Sequence, residues 1–378
     1  MNGEISAQPI SVAADIDRLH VNGMTGGRSI YRPFGTLRFL LALLVLIQHG
    51  LVLLAIEDRG FFYSTELGIL SVFTFFAISG FIVAEANTTF YSGRPYAFLA
   101  NRALRLVPPY LAALVLVVIV QASFYSIGRP VTVDSPLTMS PLDPRVLLSG
   151  LLDIVPGFQP KYLIKQDFSL VPFAWTLRIE FLFYIFAFLT YLAMTNVRGP
   201  IARAAPYLML GFGYGLFGVF LRGHGGVPEQ CGLIPFFLFG LGVFFVWREP
   251  NAATCTHLAV ATVCVAIALR HIKERGHPDL AYQLPILIIL LTAFAYLAFV
   301  RSIPEWLKAL DKRLGELSYP LYINHGTILL LLLGATGGNS FVVYAVAIPL
   351  SIGLAAMMNK LVETPLKGIR DKLRGRSL

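Results

Sequence analysis

Charge is the scarcest feature of this sequence. Only 13% of its 378 residues are Asp, Glu, Lys or Arg, where a soluble domain carries about 25%. With 56% hydrophobic residues and a mean hydropathy of +0.70, an ordinary soluble domain is excluded. Cysteine is nearly missing as well. Cys231, Cys255 and Cys264 all fall in apolar runs, so neither a disulfide framework nor a metal-binding spacing is present, and no metal is expected. Acidic residues are fewer than basic ones, 21 Asp+Glu against 30 Lys+Arg, for a net charge of +9. That surplus does not indicate nucleic acid, because the basic residues cluster in short segments between apolar runs, as membrane topology requires. Residues 1–30 lack the apolar core of a signal peptide, so 1–33 are expected to be a polar cytosolic tail. No internal repeat is visible, which counts against an inverted-repeat transporter.

Long apolar runs supply what the charges do not. Windows of about 20 apolar residues fall at 36–56, 67–86, 98–121, 173–194, 202–222, 229–247, 252–270, 282–301, 315–335 and 341–362. The expected fold is an all-α polytopic membrane protein of about ten transmembrane helices. Arg28, Arg32, Arg94, Arg198, Arg203, Lys308, Lys312, Arg313 and the basic tail 367–378 fall on one side, which puts both termini in the cytosol. The membrane domain is expected over 34–366. Its longest connection, 122–172, lies on the outer side. It is rich in proline and contains one apolar piece, Val146–Val155, too short to span and suited to a short interfacial helix. Long ordered loops tend to be functional, so this one is expected to cover a site open to the outside.

The first run, TLRFLLALLVLIQHG, contains Arg38 near its start and His49 inside it. Eleven residues on a helix bring the chain round to within ~20° of three full turns and advance it roughly 16 Å, so both side chains share one face. Ionisable residues within spans mark functional sites by default. The plainer reading of the pair is an Arg snorkelling to phosphates and a His bonded to a neighbouring helix. In FFAISGF, Gly80 reads as a close-packing residue and Ser79 as a candidate cavity residue, with a nucleophilic role not favoured because no base lies nearby in sequence. In NRALRLVPPYL, Arg102 and Arg105 are one turn apart. With Arg38 they place three guanidinium groups at the cytosolic rim, suited to bidentate binding of a phosphorylated cosubstrate or to anchoring on anionic lipids. Glu180, in WTLRIEFLFYIF, enters from the outer side as either a structural partner for an Arg or a ligand for a hydroxyl-bearing acceptor. His325, in LGELSYPLYINHG, comes about ten residues into its span, at a level close to His49, in a segment made polar by Tyr319, Tyr322 and Asn324. Near the last span, Glu363 and Pro365 suggest a helix terminus.

Taken in order, YRPFGTLRFLLALLVLIQHG, FFAISGFIVAE, FLANRALRLVPPYL, FAWTLRIEFLFYIF, LGELSYPLYINH and LVETPLKG resemble the acyltransferase-3 family of bacterial integral-membrane acyltransferases across almost the whole chain. The resemblance implies a multi-pass protein of the bacterial inner membrane. Its cosubstrate would be acyl-CoA, acetyl-CoA by expectation, and its acceptor a hydroxyl of an extracytoplasmic glycan or lipid-linked saccharide. Membrane lipids would be the surrounding partner. By that resemblance His49 is the catalytic base, with Glu180 and His325 as further catalytic candidates. Arg38, Arg102 and Arg105 would serve the donor, and Ser79, Trp175 and Tyr322 would contact substrate. The chain keeps Trp175 and Glu180 of the family's pattern but carries apolar Phe181 where a second polar residue is usual, and Gly326 where Trp usually follows the His. The competing class is a proton-coupled secondary transporter or polysaccharide permease, with His49, Glu180 and His325 as a proton relay.

Overall fold

The computed structural model describes residues 31–53, 66–131, 139–166, 168–194, 205–222, 231–274, 280–300, 302–338 and 340–375. The expected tail falls on residues 1–30, outside the described residues, apart from its last three. Of these, Arg32 begins the compact body, with its side chain bonded to Glu85 at 2.9 Å and stacked 3.9 Å from the Trp247 ring.

The described residues form helices and connecting turns. In chain order the helices are α1 Gly35–Leu53, α2 Leu67–Thr89, α3 Pro95–Ser126, α4 Pro144–Leu152, α5 Lys161–Ile164, α6 Ala174–Met194 and α7 Ala205–Arg222. They continue with α8 Ile234–Arg248, α9 Ala252–Glu274, α10 Leu280–Phe299, α11 Glu305–Thr336, α12 Phe341–Met358 and, after a π-helical turn Asn359–Glu363, α13 Thr364–Leu373. Each apolar window predicted from the sequence is occupied by a helix. Seven of these helices are long and apolar enough to cross a membrane; Ile234–Arg248 and Gln283–Phe299 are apolar but shorter.

Small residues set the two closest crossings. A Cβ on Gly80 of α2 would stand 2.0 Å from the carbonyl oxygen of Phe237 in α8, and one on Gly240 of α8 would stand 1.8 Å from that of Ala77. The two backbones touch, so the packing role read for Gly80 holds. At the start of α1, Gly35 approaches the carbonyl of Asp311 in α11 equally closely. The Asp311 carboxylate accepts from the amides of Gly35 at 3.0 Å and Thr36 at 2.6 Å, satisfying donors that a helix start leaves open. α1 and α2 pack on α11 and α8, and this group carries the apolar core, with Leu41, Leu46, Phe81, Phe237 and Leu329 fully buried. The outward faces of α3, α9, α10 and α12 expose Val115, Ile119, Val263, Ile289 and Val342, as lipid-facing surfaces do.

Several boundaries differ from the sequence reading. α3 runs on through Ser126, taking the first residues of the expected 122–172 loop. α11 begins at Glu305, ten residues before its apolar window, because the amphipathic segment ahead of the window is itself helical. The terminus expected at Glu363 and Pro365 is a π-helical turn followed by more helix. Pro365 falls in the first turn of α13, where its missing N–H costs little.

Of the expected outer loop, residues 132–138 and 167 lie outside the described residues. The expected short helix is α4, started by the Asp143 side chain accepting from the Arg145 amide. α4 packs into the protein: Tyr110 donates to the Gly150 carbonyl at 2.5 Å, and Val146 and Ser149 are buried. Asp153, fully buried at its end, accepts from Ser169 and faces Arg178 of α6 at 3.6 Å. Arg178 also donates to the Phe158 carbonyl at 2.7 Å. Burial pushes the Asp153 carboxyl above the usual carboxylate range, against the opposing pull of Arg178 and Ser169.

Candidate functional site

Five helices contribute to one cavity of about 670 Å³, open solvent included. α1 supplies Arg38, α2 Ser79, α3 Arg102 and Arg105, α6 Thr176, Glu180 and Tyr184, and α11 Ser318, Tyr319 and Tyr322. The one-turn spacing of Arg102 and Arg105 turns both toward it, as the sequence predicted. Arg102 is 5% exposed, its guanidinium 5.5 Å from the Phe98 ring centroid and 5.4 Å from that of Tyr184. Its Nε is buried without a hydrogen-bond partner. Among the described residues no salt bridge to a carboxylate is formed by Arg38, Arg102 or Arg105. Arg38 and Arg105 are half-buried, and the acidic Glu180 shares the cavity wall with all three arginines.

Glu180 lines this same cavity, whereas the sequence reading set it apart from the arginines, near the outer end. The difference comes from how deeply the chain enters ahead of α6. Phe173, the residue before α6, stacks on His325 and packs at a tilt against His49, with centroids 4.1 and 4.4 Å away. Thr176 in the first turn lies 2.9 Å from the Tyr322 hydroxyl. α6 therefore starts level with the histidines. Glu180, seven residues on, sits roughly 10 Å along the helix toward the arginines. Its Oε1 accepts from Ser79 Oγ at 3.0 Å and from the Tyr184 hydroxyl, and the two hydroxyls are 3.3 Å apart. Tyr184 was missed in the sequence. The available signal was its position four residues after Glu180, on the same helix face.

The two histidines, 276 residues apart in the chain, meet: His49 Nδ1 is 3.0 Å from His325 Nε2. His325 Nδ1 lies 2.7 Å from the Tyr322 carbonyl. A carbonyl only accepts, so in the uncharged ring His325 carries its proton on Nδ1, leaving Nε2 as an acceptor. His49 then donates from Nδ1, and its own Nε2 keeps a free lone pair. The arrangement has the logic of a base oriented by a second group. His325 is fully buried. Neither histidine lines the cavity; Tyr322 does, and its ring stands 6.2 Å from that of His325. The glycine after His325 leaves room here, since a Cβ on Gly326 would come within 2.6 Å of the Phe173 ring. Trp175 is outside the cavity lining and packs, partly buried, against the apolar core.

The C-terminal continuation adds charge at the arginine end. Glu363 and Arg370 belong to the same charge cluster as Arg105, and the Arg370 carbonyl accepts from Asn101, next to Arg102, at 2.8 Å. The π-helical turn that rotates this segment was invisible to hydropathy.

Compared with known proteins, residues 34–360 match a family model described as an acyltransferase domain. No curated protein and no solved structure gives a match.

Proposed function

The chain belongs to the acyltransferase-3 family, and from that premise we propose that it moves an acyl group, acetyl in the simplest case, from cytosolic acyl-CoA to a hydroxyl of an extracytoplasmic glycan or lipid-linked saccharide. The observation that carries this reading is the set of three guanidinium groups, from two helices, around one cavity and, among the described residues, in no salt bridge with a carboxylate. Guanidinium binds phosphate in a bidentate fork, and CoA is the phosphorylated acyl carrier whose thioester supplies the group to be moved. Arg38, Arg102 and Arg105 hold the donor by its phosphates. The rise of roughly 16 Å from Arg38 to His49 along α1 suits a long, slender arm between the phosphates and the reacting carbon.

His49 takes the proton of the acceptor hydroxyl at Nε2, a step worth typically 10²–10⁴-fold. His325, fixed by the Tyr322 carbonyl, holds His49 in the tautomer that has this lone pair. On this reading the bacterial inner membrane is the location, with both termini cytosolic and ten membrane-crossing helices.

The test is equilibrium binding of acetyl-CoA to purified protein. Arg102→Ala and Arg105→Ala are expected to weaken it, and Arg102→Lys to restore it only in part, because an ammonium does not reproduce the fork. For whichever arginine meets the 3′-phosphate, removal costs less affinity for dephospho-CoA than for CoA. Parental affinity in both Ala variants would overturn the donor site.

A further inference from the structure

Among the described residues, six hydroxyls line the arginine cavity, those of Ser79, Thr176, Tyr184, Ser318, Tyr319 and Tyr322, and each gives its proton to the protein. Ser79 Oγ donates to Glu180 Oε1 at 3.0 Å, and the Tyr184 hydroxyl donates to the same oxygen. Tyr319 donates to the Leu106 carbonyl at 2.9 Å, and Ser318 to that of Gly315 at 2.8 Å. Thr176 donates to the Phe173 carbonyl at 2.9 Å. Its proton being spent there, the 2.9 Å contact between Thr176 and Tyr322 takes its proton from Tyr322. A hydroxyl with its proton committed keeps lone pairs and has nothing to donate. Between the arginines and the histidines the polar wall therefore offers acceptors, and it suits a ligand with N–H groups.

Two sets of these acceptors stand at defined depths along α6. Thr176, which holds the Tyr322 hydroxyl, comes three residues after Phe173, roughly 4.5 Å from the level of the histidines. Glu180, which holds the hydroxyls of Ser79 and Tyr184, comes roughly 10 Å from that level. The arm of an acyl-CoA carries two amides, with nitrogens four and eight bonds from the acyl carbon. In an extended chain, at ~1.2 Å per bond, those nitrogens lie about 5 and about 10 Å away. The first phosphorus is fourteen bonds from the acyl carbon, about 17 Å, against the rise of roughly 16 Å from Arg38 to His49. We propose that the wall reads these two amides and so sets the register of the donor. This inference rests on the acyl-CoA reading of the cavity. Tyr322 Oη accepts from the amide nearer the thioester, and Ser79 Oγ and Tyr184 Oη accept from the farther one. The arginines fix the phosphate end, the two acceptor sets fix the arm, and the acyl carbon comes to rest at His49. Ser79, Tyr184 and Tyr322 are then specificity-determining residues, which select a donor by the spacing of its N–H groups.

The test is equilibrium binding to full-length purified protein of acetyl-CoA and two analogues, each with one amide N–H replaced by an ester oxygen. The parent is expected to bind each analogue roughly 10-fold more weakly than acetyl-CoA, since each leaves an acceptor of the wall without its donor. Ser79→Ala and Tyr184→Phe are expected to shrink the penalty for the far ester and leave that for the near ester, and Tyr322→Phe to do the reverse. Tyr184→Phe keeps the ring that lies 5.4 Å from the Arg102 guanidinium and removes only the oxygen. Damage to the fold would weaken all three ligands alike, so the ratios between them report recognition alone. Equal affinity of the parent for all three ligands, a comparison that needs no variant, overturns the proposal, as do ratios that no substitution moves. Failure of the parent to bind acetyl-CoA at all overturns the donor reading itself, and this inference with it.

Discussion

At the scale of single residues, the account separates groups that bind the donor from groups that move protons. His49→Ala is expected to lower transfer by about 10²–10⁴-fold while acyl-CoA binding stays at the parental level, because His49 is outside the arginine cavity. His325→Ala is expected to fall between the parent and His49→Ala, since it loosens the tautomer and orientation of His49 without removing the base. Transfer by His325→Ala at the parental rate would remove the pair from the mechanism. Glu180→Gln makes a sharper case. It deletes a negative charge from a cavity lined by Arg38, Arg102 and Arg105, so donor affinity is expected to hold or rise while transfer collapses. Weakened CoA binding in a folded Glu180→Gln protein would contradict the electrostatics described for the cavity. That one helix carries both Arg38 and His49 was legible from sequence, because the apolar run that holds them is long enough to be a single span. The pairing of His49 with His325, and of Ser79 with Glu180, was not. Those contacts join helices far apart in the chain, and a single sequence carries no local signal for them.

At the scale of elements, what holds the site is close backbone contact and a clamp on the segment 139–173. Gly80→Ala and Gly240→Ala would each push a methyl group onto a carbonyl oxygen of the facing helix. Overpacking of this kind costs typically about 1–3 kcal/mol, so both are expected to lower the thermal unfolding temperature in detergent, whereas Gly353→Ala, which meets nothing within 4 Å, is expected to be neutral. That segment gives a pH prediction. Asp153 is buried with its carboxyl raised above the usual range, Arg178 offsetting the cost of its charge. A raised acid contributes stability at low pH that is lost as pH rises through the raised value. Removing the offsetting cation in Arg178→Ala is therefore expected to loosen α4 most at neutral pH and least in acid, while Asp153→Asn is milder and flat with pH. Hydrogen exchange over 144–152 at two pH values reads this directly, and a pH-independent Arg178→Ala defect would contradict it. Hydropathy located α4 because the piece is apolar and short, but gave no measure of how deeply the segment 139–173 enters. That depth is what brings Glu180 to the arginines, so the site's grouping was only half legible.

At the scale of the whole molecule, the helical architecture was readable in the apolar windows, since an element about 20 residues long with few charges has few other fates. The ends of α3, α11 and α12 were not, because amphipathic continuations fall below a hydropathy threshold while remaining helical. The arrangement gathers arginines, a carboxylate and two hydroxyls from α1, α2, α3 and α6 at one cavity, with the histidine pair beyond Tyr322. A transporter using His49, Glu180 and His325 as a relay would have no use for CoA at that cavity. The central claim, that this molecule acylates glycan hydroxyls outside the cytosol, is tested most directly by mass spectrometry of surface and periplasmic glycans from cells producing the parent protein, His49→Ala protein at equal membrane abundance, or none. The account predicts an acylated glycan species present only with the parent; identical glycan acylation in all three would contradict it.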